Sequence, residues 1–401
     1  MIFIDFKNSG VEDFSALNEK LNAIAKEEIP NFACYVPNFE KIEETAKEYL
    51  KFNNLLLLGT GGSAQPFKAL YTAQLMELDK NVEIVNTSDP EYLSHLRKKY
   101  SAKDTVIVPV SKSGTNVVPL EALFYFKDYE KVYVTGDNEG VLRQIILKTN
   151  SKWFKHPEID GRYSGITEDA LAPLAILGVD IEEIYKGAKK MWETCSPKNS
   201  IEKNPALKIA ATLKMLSDKG FTEIFSPFYS VKLYGFYYFL VQLLHESCCK
   251  EGKGPTIFGD LAPESQHHTN QRFFGGRKNV CGLFVVEDEH KDIKTKVNVP
   301  EEFRNLKLRQ GTLADLHNNP YTKCMEFEFG GTYQDAIKNK IPVIALHVKK
   351  VTAESTGELM ALMQYIAFYL AILEGVPPFG QPQVEASKEI SFRMRREFCS
   401  N

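Results

Sequence analysis

Several stretches of this chain carry the residue types that hold an anion or move a proton. Gly59-Thr60-Gly61-Gly62-Ser63 and Ser111-Lys112-Ser113-Gly114-Thr115 combine glycine with hydroxyls. Each directly follows a short apolar run and leads into a segment of helical periodicity. A strand–loop–helix unit of that kind aims free backbone N–H groups and a positive helix end at an anion. Gly62, Ser63, Ser111, Lys112, Ser113 and Thr115 are therefore candidate phosphate ligands. A P-loop would need G-x-x-x-x-G-K-[ST], which is absent, and Val82–Asn86 ends without the acidic residue of a dinucleotide site. A small phosphate-bearing molecule fits the pair of loops better.

Further along, Asp160-Gly161-Arg162-Tyr163-Ser164 places an arginine after a glycine. It reads either as a surface turn or as a guanidinium fork that reaches a buried anion. Glu246 ends a largely apolar run and sits four residues after Gln242, so the two share a helix face. Its carboxylate is either paired structurally or held in a dry site as a general base. His245 points elsewhere, as a packed core histidine. His245, Glu246, Cys248 and Cys249 match no zinc spacing, so no metal is expected. In Glu264 to Gln271, His267 and His268 diverge by about 100° on a helix, and His267 shares a face with Gln271. Near the end, Gln381 and Lys388 lie about two turns apart around a helix start.

The elements that must position these groups alternate. Strands are expected at Leu55–Leu58, Val82–Asn86, Thr105–Val110 and Val132–Thr135, with helices at about 64–78, 90–99 and 116–127 between them. That alternation implies a parallel, doubly wound sheet. Residues 1–50 contain helical pattern at Phe14–Lys26 and Phe39–Leu50, 153–165 read as polar and irregular, and 168–218 as several helices. A second alternating region follows: Thr222–Ser226, a long helix over 229–247, Thr256–Phe258, Val280–Val286 and Val343–Val348. Helices over 356–374 and 383–398 close the chain. The expected fold is α/β, two doubly wound domains divided near residue 195, with the last helix returning to the cleft between them. Ligands of such sheets bind beyond the carboxyl ends of the strands, where both hydroxyl-rich loops fall.

The bulk properties narrow the function. A chain of 401 residues is long enough for two domains, and 43% hydrophobic with 25% charged content is ordinary for a globular protein. A net charge of −3 offers no attraction for nucleic acid or an anionic membrane. No apolar stretch reaching the ~20 residues of a bilayer span is evident. The seven cysteines form no CxxC pair and are expected as reduced, mostly buried thiols in a cytoplasm.

Taken in order, these stretches resemble the phosphoglucose isomerase family, built on paired sugar-isomerase domains. Gly59–Ser63 resembles its G-x-G-G-S loop, and Ser111–Asn116 its S-K-T-x-T-T loop. Gly161–Ser164 is similar to G-R-[FY]-S, and Gln242–Lys250 to Q-L-x-x-E-S-x-G-K. His267 with Gln271 resembles H-S-x-x-Q, and Pro378–Lys388 resembles P-F-D-Q-P-G-V-E-x-x-K. The departures include Ser113, Asn116, Val118, Cys249 and His268, together with Asp160 for a glycine and Gly380 for an aspartate. The resemblance implies interconversion of glucose 6-phosphate and fructose 6-phosphate without a cofactor. It assigns proton transfer to Glu246, charge stabilisation to Arg162, ring opening to His267 and Lys388, and substrate contacts to Gln242 and Gln381. It also implies a homodimer in which the histidine crosses to the neighbouring subunit. A dual phosphoglucose/phosphomannose isomerase is the nearest alternative. A sugar-phosphate-binding protein without catalysis and an NAD-linked oxidoreductase rank below it.

Overall fold

The computed structural model describes residues 1–291 and 294–400. The chain opens with β1 (Ile2–Asp5) and then lays down β2 (Asn54–Leu58), β3 (Asn81–Val85), β4 (Thr105–Ser111), β5 (Glu130–Lys131), β6 (Tyr133–Thr135) and β7 (Trp153–Lys155). After a helical stretch come β8 (Glu223–Phe225), β9 (Phe228–Tyr229), β10 (Thr256–Phe258), β11 (Val280–Glu289) and β12 (Val343–Lys350).

The first sheet runs β3-β2-β4-β6-β7, with β5 beside β4, and every pairing is parallel. Its crossovers pass through α1 (Gln65–Gln74), α2 (Pro90–Lys99) and α3 (Val117–Tyr125). All residues of β2 and β4 are buried, as expected of strands covered on both faces. The second sheet runs β1-β12-β11-β8-β10, with β9 beside β11. It is parallel except for β1, which lies antiparallel on β12 with Ile2 opposite Val348. The α/β architecture with two doubly wound, mainly parallel sheets is thus as expected.

Helices α4 (Glu168–Ile176), α5 (Ile181–Thr194), α6 (Pro205–Asp218), α7 (Gly235–Cys248), α8 (Thr269–Gly275), α9 (Tyr321–Lys338), α10 (Ala353–Glu374) and α11 (Glu385–Ser400) complete the chain. The largest apolar cluster draws on both sheets and on α1, α4, α5, α6, α7 and α10. Helix α10 is its axis: a Thr352–Ser355 capping box starts it, Gly375 ends it in the left-handed conformation, and almost every residue between is buried. Helices α5 and α10 meet backbone to backbone. A Cβ on Gly187 would lie 1.8 Å from the Glu354 carbonyl oxygen, and one on Gly357 would lie 1.9 Å from that of Ile184.

Several expectations need correction. Beyond the helical stretches expected in residues 1–50, Ile2–Asp5 forms a strand along the edge of a sheet otherwise built from the second half of the chain. Residues Trp153–Lys155 are a strand rather than irregular, held by β6. The helix expected from residue 229 begins at Gly235, since Phe228 and Tyr229 join β11 and residues 230–234 turn between the two elements. Helix α10 is in fact long and apolar enough to cross a membrane, and 94% of its apolar window is buried inside the protein. Of the seven thiols, all free, only Cys195, Cys248 and Cys281 are buried.

Candidate active site

Strands β2 and β4 are neighbours, so the loops that follow them lie side by side at the carboxyl edge of the first sheet. The Asn116 amide donates to Thr60 Oγ1 at 2.5 Å and ties one loop to the other. Ser111 is buried and its Oγ accepts from the Gly114 N–H at 3.2 Å, which shapes the second loop. Ser113 and Thr115 are exposed, with Thr115 Oγ1 donating to Ser113 Oγ at 2.9 Å. Lys112 pairs with Glu158 at 3.3 Å. Gly62 and Ser63 are half-buried in a short turn that opens α1.

Gly62 is the seam between this loop pair and the arginine segment. A Cβ there would stand 2.3 Å from the Gly161 carbonyl carbon, so only glycine permits the contact. Residues Gly161–Ile166 form a 3-10 turn, and within it Arg162 is buried. Its guanidinium has five N–H donors, and all five are used. Nε donates to Ser247 Oγ at 3.0 Å. Nη1 donates to Glu246 Oε2 at 3.2 Å and to Gln381 Oε1 at 2.6 Å. Nη2 donates to the carbonyls of Pro378 at 2.9 Å and Gly380 at 3.0 Å. Three segments far apart in sequence therefore converge on one planar cation, and Arg162 is buried rather than part of a solvated surface turn.

Glu246 sits in the last turn of α7, one turn beyond Gln242, whose Nε2 donates to Glu246 Oε1 at 2.9 Å. The shared helix face expected from the four-residue spacing is present. The carboxylate is paired, yet 28% of its side chain stays open to solvent, enough for a small molecule to reach it. His245 is half-buried as a structural group: its Nε2 accepts from the Ile257 N–H at 3.3 Å, and burial pushes its pKa down.

The segment 377–381 owes its place to backbone capture. Lys250 Nζ donates to the Pro377 carbonyl and, at 3.0 Å, to that of Phe379. Burial and the nearby Arg162 lower the Lys250 pKa. Asp160 accepts from the Gly380 N–H at 2.8 Å and lies 3.5 Å from Arg162 Nη2. Asp160 and Gly380, two of the departures from the family pattern, are thus in direct contact.

Ser247, Lys250 and Asp160 hold the site, and none of them was singled out as a functional residue from the sequence. The available signal was their place inside the motif stretches. His267 and Lys388 are both exposed. His267 ends a 3-10 turn over Glu264–His267 and is exposed. The backbone breaks at His268 before α8 begins, so His267 and Gln271 do not share one helix as expected. Lys388 is exposed on α11 and pairs with Glu385 at 2.7 Å. No described contact joins either residue to Glu246 or Arg162. Among the described residues no group of three His, Cys, Asp or Glu side chains could hold a metal.

Two mainly parallel, doubly wound sheets are the fold that this chain shares with solved sugar-phosphate isomerases. A hypothetical protein from Thermus thermophilus superposes with a TM-score of 0.87 at 24% identity, covering 98% of this chain and 99% of its own. A glucose-6-phosphate isomerase from Chlamydia trachomatis superposes at 0.79 with 18% identity, over 100% of this chain and 89% of its own. In sequence the chain resembles the phosphoglucose isomerase family over nearly its whole length. A glucose-6-phosphate isomerase of Methanocaldococcus jannaschii is 27% identical over 98% of this chain and 94% of its own. No family model matches the sequence.

Proposed function

We propose that this chain is an aldose–ketose isomerase that interconverts glucose 6-phosphate and fructose 6-phosphate. The observation that carries the reading is the Arg162 hub, which sets a fixed cation beside the open Glu246 carboxylate. Moving a hydrogen between adjacent carbons of a sugar requires a base that takes the C2 proton and returns it to C1. Glu246 takes that part, through a cis-enediol, with a contribution of about 10²–10⁴-fold. Arg162 stabilises the charge that develops on the enediolate oxygen. Gln242 orients the carboxylate by donating to it, and Gln381 orients the arginine by accepting from it.

Gly62, Ser63, Ser111, Lys112, Ser113 and Thr115 would grip the phosphate, and that remote anchor places the reacting carbons over Glu246. Opening the sugar ring falls to His267 and Lys388. Both are exposed and have no described contact with Glu246 in the single chain, and the family resemblance has the histidine supplied by the partner subunit of a homodimer. Proton transfer needs no cofactor.

The test is a coupled assay of the purified protein on fructose 6-phosphate, glucose 6-phosphate and mannose 6-phosphate. Turnover of the first two supports the proposal, and equal turnover of mannose 6-phosphate would make the enzyme a dual isomerase. Absence of turnover on all three, with binding retained, would leave a sugar-phosphate-binding protein. Glu246→Gln should lower kcat by at least about 10²-fold while sugar-phosphate affinity persists, read by calorimetry beside kinetics.

A further inference from the structure

Behind Arg162 lies a second polar cluster that the proposed chemistry does not use. Asp169, in the first turn of α4, is fully buried, as is His156, and Ser164 between them and the Gly161 turn is buried too. Ser164 Oγ stands 2.7 Å from the Gly161 carbonyl and 2.5 Å from Asp169 Oδ2. A hydroxyl has one proton, while the carbonyl and an ionised carboxylate both only accept. Both contacts are full two-centre hydrogen bonds when the carboxyl carries its own proton and donates it to Ser164 Oγ, whereas an ionised carboxylate would have to share the single Ser164 proton with the carbonyl. His156 supplies no charge to offset an anion. Its Nδ1 faces the Pro157 carbonyl at 2.7 Å and must donate to it, which leaves Nε2 as an unprotonated, unpartnered nitrogen 3.8 Å from Asp169 Oδ2.

We infer that Asp169 is a positioning residue kept protonated: it donates to Ser164, and Ser164 donates to the Gly161 carbonyl, which locks the turn that presents Arg162. This rests on the role proposed above for Arg162. Ionisation would set two acceptors competing for the single Ser164 proton, and the Gly161 carbonyl would lose its donor beside the Gly62 seam.

The charged groups around Asp169 do nothing to favour the anion. Glu168, next on the same helix, is a like charge occupied with the Tyr35 hydroxyl and the Asn38 N–H, and it raises the Asp169 pKa. His156 is held down to about 4 by burial, and of its neighbours Lys112 lowers it while Glu158 raises it. Arg162 turns its guanidinium away, onto Glu246 and Gln381. Among the described residues no other charged group acts on Asp169, and burial, the largest effect, lifts its pKa to about 8 against the lowering effect of the Ser164 hydrogen bond.

The experiment compares the parent protein with Asp169→Asn, whose amide can still donate to Ser164 and cannot ionise. In the parent, kcat for fructose 6-phosphate should fall about tenfold as the pH rises through about 8, with KM little changed. In Asp169→Asn that fall should be absent. Ser164→Ala should lower kcat at every pH and flatten the same limb. Infrared difference spectra of the folded parent against Asp169→Asn at neutral pH should show a protonated carboxylic acid. This readout is independent of turnover and stands even if the protein isomerises nothing. Coincident pH profiles for parent and Asp169→Asn, or a carboxylate band at neutral pH, would overturn the inference.

Discussion

Arg162 owes its effect to having no spare donor. Lysine at that position would keep the charge and lose the fork, leaving some of Ser247, Gln381, Pro378 and Gly380 without a partner. Arg162→Lys should therefore cost about 2–4 kcal/mol in denaturant unfolding and more than tenfold in kcat. The Asp160–Gly380 contact makes a sharper prediction, because both positions depart from the family pattern and they touch each other. Asp160→Gly and Gly380→Asp should each reduce kcat/KM. The double variant should recover much of the loss, measured as a coupling energy of about 1 kcal/mol or more in a double-mutant cycle. Gly380 has φ of +71°, which an aspartate adopts at some cost, so recovery should be incomplete.

The buried pair also sets a pH dependence of stability. Asp169 has a folded pKa of about 8, raised from 3.8, so its contribution is lost as pH rises between those values. His156 has a folded pKa of about 4, lowered from 6.5, so its contribution grows over that interval. The two oppose each other from about 4 to 6.5, and Asp169 acts alone from there to about 8. Stability should decline across that upper window in the parent and hold level in Asp169→Asn, as followed by urea midpoints at several pH values. None of this cluster could be read from the sequence. Thr167-Glu168-Asp169 has the pattern of an ordinary helix start with acids in its first turn, and only the burial of α4 turns one acid into a neutral donor.

Among the elements, legibility followed burial pattern. Strands β2 and β4 were plain because an apolar run covered on both faces announces itself. β7 is three residues long, and β1 finds its partner more than three hundred positions away, so neither leaves a local signature. The start of α7 was obscured because apolar residues continue from β9 through the turn into the helix, interrupted only by Ser230 and Lys232. Helices α5 and α10 carry a different hidden constraint. Gly187 and Gly357 look like poor helix residues, yet each makes room for a carbonyl of the opposite helix. Gly357→Ala should lower stability by about 1–3 kcal/mol despite alanine's better helix propensity, visible as a drop in Tm with the kinetic constants of the surviving fold intact.

At the scale of the whole molecule, the catalytic assignment divides into a part the single chain assembles and a part it leaves open. Arg162, Glu246, Gln242 and Gln381 are in contact, whereas His267 and Lys388 face outward. Helix α11 buries none of its residues and is held to the body by Arg395 on Glu121 at 2.6 Å. Removing residues 385–400 should therefore leave Tm nearly unchanged while slowing conversion of the cyclic sugar. The open-chain form should be handled much as before. The motifs were legible because short runs of chemistry survive in sequence, and their meeting point was not, because contacts such as Arg162 to Gln381 span 219 positions.

The bare backbone contact of Gly62 with Gly161 bears on how this pocket could be re-engineered. With no side chain on either surface, neither loop can be reshaped without dislodging its neighbour, and a methyl group on Gly62 would act as a wedge. Library designs aimed at another sugar would do better to vary the rim at Ser113, Thr115 and Val118, and to treat the two glycines as a single indivisible joint.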